Sequence, residues 1–233
     1  PRAQLDFAAG AEPRLMLDAE PPGRSRLHYD GAIAFAPDLR LHGALRLSSR
    51  DPGAFGRWIA PAAPELAHAL AASPFTQVDV SADVTTQGRA FEAKVADARL
   101  DRSTFAGVVK FQPSRDGLRA RLEATIRSPA LDIDGLPEFQ TPVAGNVDFL
   151  IDLDAKTARI ARVGAAAADT GRIRMRLARY GAGLSLENIA IENLGGATLT
   201  GGGRLDRSGG RLDLRLDAAR LGDLARLAER IAP

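Results

Sequence analysis

The chain contains no cysteine. Disulfides, thiol nucleophiles and Cys-based zinc sites are excluded with it. Aromatic residues make up only 5% of the 233 residues, which argues against aromatic platforms for sugars or bases. No stretch approaches the roughly 18–20 apolar residues of a membrane-spanning helix, and no signal peptide opens the chain. The sequence begins at Pro1 and enters strand-like sequence almost at once, so it reads as part of a longer polypeptide. A dominant charge is also missing. Lys and Arg total 31 against 29 Asp and Glu, a net charge of +2. Nucleic-acid binders gather cations in a run or on one face. Here Arg211, Asp213, Arg215 and Asp217 alternate in sign, and no nucleic-acid partner is expected.

What the chain does have is apolar residues at 45%, mostly Leu, Ala and Val, set out with period two. In residues 38–48, Leu39, Leu41, Gly43, Leu45 and Leu47 alternate with Arg40, His42, Ala44, Arg46 and Ser48. Side chains of a strand point alternately to its two faces, so one face is apolar and the other mostly polar. Val78, Val80, Ala82 and Val84 follow the same rule. So do Leu118, Ala120, Leu122, Ala124 and Ile126, and Val147, Phe149, Ile151 and Leu153, with Leu150 as an exception. Ile173, Met175 and Leu177 alternate with arginines, and Leu212, Leu214 and Leu216 with Arg and Asp. Strands of a buried parallel sheet would read as continuous apolar runs. The pattern predicts an all-β fold, a large twisted antiparallel sheet with one wet face. Turn signals are placed at Tyr29-Asp30-Gly31, Gln87-Gly88-Arg89, Arg115-Asp116-Gly117, Gly181-Ala182-Gly183 and Ser208-Gly209-Gly210. One or two short helices are expected, from an insert over 51–73 broken by Pro61 and Pro64, and from residues 222–231. The run 165–168 fits either state.

The chain also repeats itself weakly. Gly31-Ala-Ile-Ala-Phe-Ala-Pro37, a strand and an exit segment are echoed by Gly107-Val-Val-Lys-Phe-Gln-Pro113 and, more loosely, by the segment from Gly203. The copies lie near 31–60, 107–138 and 203–231. Such a sheet needs a second sheet, helices or a ligand over its apolar face.

At these residues the sequence resembles the AsmA-like, TamB-related family of Gram-negative bacteria. The resemblance rests on "Gly-x-[Ile/Val]-x-Phe … Leu-Arg" units, on Asn193-Leu-Gly-Gly-Ala-Thr-Leu-Thr-Gly-Gly-Gly203, and on Asp223-Leu-Ala-Arg-Leu227. It covers mainly residues 78–232. It implies one fragment, 1–233, of an open U-shaped β-groove from a bridge-like lipid-transfer protein. The parent would be periplasmic and anchored in the inner membrane. Phospholipid acyl chains would be the ligand, and an outer-membrane or periplasmic protein a possible partner. The family has no catalytic residues to carry over, and no enzyme activity, cofactor or metal is expected. The alternation supplies the groove-lining candidates: Leu41, Gly43, Leu45, Val80, Ala82, Val84, Phe111, Ala120, Leu122, Ile151, Met175 and Leu214. Small residues among them (Gly43, Ala82, Ala120) would leave room for chains. The alternative is a structural or adhesive β-sandwich that binds protein partners through sheet edges.

Other motifs carry less. His28, His42 and His68 sit in no catalytic motif. Asp132-Ile-Asp134-Gly135 fails as an EF-hand loop, because its twelfth residue is Val143. Asp152-Leu-Asp154 reads as the wet face of a strand. Gly201-Gly202-Gly203 lacks the Lys-Ser/Thr of a phosphate loop.

Overall fold

The computed structural model describes residues 2–6, 12–35, 37–61, 67, 75–132, 147–160, 168–194, 196–206, 209–220 and 222. The chain is predominantly β. Thirteen strands belong to a large mixed sheet that does not close into a barrel, and three to a small one. The described residues fall into two compact units, those up to Pro113 and those from Ser114 on.

The first unit is a meander of seven strands: β1 (Arg2–Asp6), β2 (Arg14–Ala19), β3 (Arg26–Ala34), β4 (Arg40–Ser49), β5 (Val78–Gln87), β6 (Ala90–Leu100) and β7 (Ser103–Gln112). Each pairs antiparallel with the next. The chain reverses at Gly88-Arg89, as expected, and also at Pro22–Arg24 and Asp101-Arg102. At Asp101, φ is +51°, and its carboxylate accepts from the backbone N–H of Thr76 and Gln77. Tyr29-Asp30-Gly31 is not a turn. It lies inside β3, where Gly31 is directly opposite Gly43 of β4. The two glycines let the backbones approach closely, which explains their presence without any chain reversal.

Between β4 and β5 sits α1 (Pro52–Ile59). Asp51 is its N-cap, with the side chain accepting from Ala54 N at 2.9 Å, and Pro52 occupies the first helical turn, where no N–H is missed. The helix start is tied to the β2–β3 turn, since the N–H groups of Arg50 and Asp51 both donate to Gly23 O. Buried Ser25 and Ser49 join hydroxyls beneath it at 2.9 Å. Asp51→Ala removes the cap and is expected to cost about 1 kcal/mol, read as a lower urea midpoint. The rest of the predicted insert, 62–66 and 68–73, lies outside the described residues, as do all of 222–231 but Gly222.

The second unit contains β8 (Ala120–Ser128), β9 (Leu131–Asp132), β10 (Val147–Ala155), β11 (Ala158–Ile160), β12 (Ala168–Thr170), β13 (Ile173–Tyr180), β14 (Gly183–Leu194), β15 (Ala197–Asp206) and β16 (Gly209–Ala218). β10 to β16 pair in the order β10-β13-β14-β15-β16, all antiparallel. The antiparallel expectation fails at one place: β10 lies parallel to β8. The reason is connection length. The 129–146 segment has crossover length rather than the two to five residues of a hairpin. After short bends the strands continue as a small sheet, in which β11 pairs parallel with β9 and antiparallel with β12. Ser128 O accepts from Lys156 N and Thr157 O from Leu131 N at the bend. Leu131, Ala155 and Ala158 are all buried there. The predicted turns at 115–117 and 181–183 are present; Asp116 and Gly117 both have positive φ, as do Gly181 and the bulge residue Asn188. Of the last predicted turn, Ser208 lies outside the described residues, and Gly209-Gly210 opens β16.

Candidate functional site

Strand register fixes which side chains share a face. In the first unit, Tyr29 is opposite Leu17 and Leu45, Leu45 is opposite Ala82, and Ala82 is opposite Val95. Extending these rows gives a face that runs from Leu5 on β1 to Phe111 on β7. No side chain on it is charged: it is Leu, Val, Ala, Ile, Phe and Gly, with Tyr29, Ser49, Thr86 and Ser103 as the polar members. The predicted residues Leu41, Gly43, Leu45, Val80, Ala82, Val84 and Phe111 all lie on it. Ala82 is buried, and the others are half-buried. Tyr29, Ile33, Val78 and Ala98 are buried on the same face. All seven strands that carry it belong to one sheet.

Bulges preserve this segregation. On β6 the register slips between Val95 and Ala98 against β7. The odd-numbered apolar run Phe91, Ala93, Val95 gives way to Ala98 and Leu100, yet both sets stay on the apolar side. Phe91 and Phe111 stack across β6 and β7 with centroids 5.7 Å apart. Gly43 does not open a cavity of its own. A Cβ there would meet Asp30 O and Gly31 Cα at 2.4 Å. Over Gly31 lies the Tyr29 side chain, whose hydroxyl donates to Ala32 O at 3.0 Å; burial pushes that phenol's pKa up.

The second unit repeats the arrangement. Leu122, Ile151, Met175 and Leu177 share a face with Leu186, Leu199 and Leu214. The predicted Ala120, Leu122, Ile151, Met175 and Leu214 all belong to it. Ala120 is buried and Leu214 exposed. One cation breaks it: Arg179, at the end of β13, donates to Gly181 O at 3.2 Å. The glycines of the 201–203 run are packing positions. A Cβ on Gly201 or Gly203 would come within 3 Å of the Leu214 or Leu212 side chain of β16. The glycines that mark the three repeats, Gly31, Gly107 and Gly203, each lie inside a strand on its apolar side.

The opposite faces are ladders of charged and hydrogen-bonded pairs. Asp18 and His28 meet at 2.7 Å, Glu92 and Lys110 at 3.2 Å, and Asp152 and Arg176 at 2.7 Å. Arg14 grips Asp30, and Arg172 grips Asp154, each through two hydrogen bonds. Asp152 and Asp154 are therefore arginine partners. His42 contacts the Thr85 hydroxyl at 3.0 Å. Among the described residues no group of three His, Asp or Glu side chains could hold a metal ion. A depression of about 710 Å³ in the first unit lies mostly on this charged side. Arg2, Arg26, Arg46 and His28 line it together with Asp18, Glu20, Asp79 and Asp97. The near balance of signs gives it no preference for an anion or a cation.

These pairs make stability depend on acid. The hydrogen bond from Arg14 holds the Asp30 carboxyl below its ordinary pKa, and that from Arg172 does the same for Asp154. Such a group stabilises the fold above its unfolded pKa, and the contribution disappears as pH falls through the folded value. The urea midpoint is expected to drop as pH goes from about 5 to about 3. The double variant Asp30→Asn/Asp154→Asn should flatten that slope. The groups are solvent-exposed, so the effect is small at neutral pH.

No family model matches the sequence, and no curated protein or solved structure matches the chain. No helix among the described residues is long and apolar enough to cross a membrane.

Proposed function

We propose that the apolar sheet faces bind phospholipid acyl chains, and that the chain is a lipid-binding or lipid-conducting segment of an AsmA-like periplasmic protein. The observation that carries this reading is the face of the first unit, seven strands wide and without a charged side chain. A face of this kind is costly in water and favourable against hydrocarbon. Each methylene taken out of water contributes about 0.8 kcal/mol, so chains are held by length and no specific polar contact is needed. Head groups remain in solvent at the sheet margin. The mechanism is passive: a chain slides along residues such as Leu45, Val84 and Phe111. In the parent protein, anchored in the inner membrane, such a segment would contribute to phospholipid transport between the inner and outer membranes.

Native mass spectrometry of the purified chain tests the reading. Co-purifying phospholipid, or uptake of labelled phospholipid from vesicles, is expected. A clean apo mass with no uptake would favour a structural β-protein whose apolar faces meet protein.

A further inference from the structure

Among the described residues, strand β16 is the outer strand of the second unit, paired with β15 alone. Its pairing has no register shift over ten residues, and it contains no proline. Leu212, Leu214 and Leu216 on its apolar side are 46%, 54% and 42% exposed. Edge strands are ordinarily protected by shortness, bulges, prolines or charged side chains. β16 is long, has no bulge against β15 and no proline, and the charges it carries are of both signs. The outer strand of the first unit, β1, has five residues.

The charges of β16 point the same way. Ion pairs of the inner strands run across to a neighbour, as in Asp152–Arg176 and Glu92–Lys110, and in β8 also along the strand, as in Arg121–Glu123. Arg211 and Arg215 have no acid opposite them on β15, where they face Arg204 and Thr200. They turn instead along their own strand to Asp213 and Asp217, at 3.0 and 2.9 Å.

We propose that β16 is a dimerisation edge, on which two copies of this chain pair antiparallel about a two-fold axis through Leu214. In that register every charge of the strand meets an opposite charge. Arg211 faces Asp217 of the second copy, Asp213 faces Arg215, and the same two pairs recur by symmetry. On the other side Leu212 meets Leu216, Leu214 meets its own counterpart, and Gly210 meets Ala218. Sliding by two residues in either direction sets Arg against Arg and Asp against Asp. Sliding by one sends the leucines to the charged side. Opposite charges across strands favour pairing and like charges oppose it, so the pattern selects both orientation and register. A two-fold interface of this kind closes on itself and leaves no sticky edge. The apolar faces of the two second units would then join into one wider face. The proposal concerns the edge and stands independently of what covers the face.

Two sets of variants test it by light scattering after gel filtration. Arg211→Asp/Arg215→Asp makes the strand wholly acidic, and Asp213→Arg/Asp217→Arg makes it wholly basic. Each alone should self-associate at least roughly tenfold more weakly than the native chain, and an equimolar mixture should form a heterodimer. Re-formation in the mixture rules out misfolding as the cause. Because the chain has no cysteine, Leu214→Cys reports the axis. Facing Cα atoms of an antiparallel pair are about 4.5–5.5 Å apart, within disulfide range. Oxidation should link Leu214→Cys dimers, while Leu212→Cys, which faces position 216, should stay unlinked. A native chain that remains monomeric at the highest attainable concentration overturns the proposal. So does a dimer indifferent to the charge reversals, an all-acidic and all-basic mixture that stays monomeric, or equal cross-linking at 212 and 214.

Discussion

Gly43→Val is expected to lower stability by about 3 kcal/mol, near the upper end of overpacking costs. Gly31 and Gly43 face each other across β3 and β4, and a Cβ at 43 would stand 2.4 Å from Asp30 O and from Gly31 Cα. Both obstacles are backbone, so no side-chain rotation relieves them. The strands would have to separate, which strips ladder hydrogen bonds from the middle of the meander and displaces Tyr29. Valine is otherwise a favourable strand residue, so the loss reports the close approach and not propensity. Ala44→Val, one residue on, points to the charged face, where position 44 is exposed, and should stay within about 0.5 kcal/mol of the native chain. Urea unfolding measures both. The midpoint should fall for Gly43→Val with the slope unchanged, the sign of a stability effect rather than a change in the unfolded state.

Leu45→Asp is expected to reduce bound phospholipid by roughly tenfold or more, equivalent to about 1.4 kcal/mol. Leu45 lies in the middle of the apolar face, opposite Tyr29 on one side and Ala82 on the other. A carboxylate there holds water in the path of an acyl chain, and desolvating it is costly. The position is half-buried, so the charge reaches solvent in the lipid-free protein and the β-sheet signal in circular dichroism should persist. Arg46→Asp projects from the opposite face, and lipid retention should match the native chain. Loss of lipid in both variants would place the ligand elsewhere or trace the loss to unfolding.

The alternation of apolar and charged residues made most of this legible in advance. The strands around Leu41, Val80, Leu122, Ile151, Met175 and Leu214 read with period two because they run without interruption, and the face assigned to each is the face it has. β6 and β14 were harder to read for a physical reason. Each carries a bulge, near 96–97 and at Asn188, and one extra residue shifts the parity of everything after it. Turn reading succeeded at Gly88, Gly117 and Gly181, each at positive φ, and failed in both directions elsewhere. Gly31 serves close approach inside a strand. The reversal at Asp101-Arg102 has no glycine, and depends on Asp101 adopting positive φ while its carboxylate holds Thr76 and Gln77, contacts that only the fold creates. The parallel β8–β10 pair left one trace in the sequence, a connection too long for a hairpin. The ion-pair partners of Asp152 and Asp154 depend on register between strands and could not be read from spacing.

Photo-crosslinking along β4 tests the account most directly. A benzophenone amino acid is placed singly at positions 41, 42, 44, 45, 46 and 47, and the chain is incubated with labelled phospholipid. Positions 41, 43, 45 and 47 lie on the apolar face and 42, 44 and 46 on the charged one. Position 43 is set aside, because Gly43 tolerates no side chain. Lipid adducts at 41, 45 and 47 with none at 42, 44 and 46 is the predicted result. Adducts of equal yield at all positions, or none at 41, 45 and 47, would contradict the proposal that this face holds acyl chains.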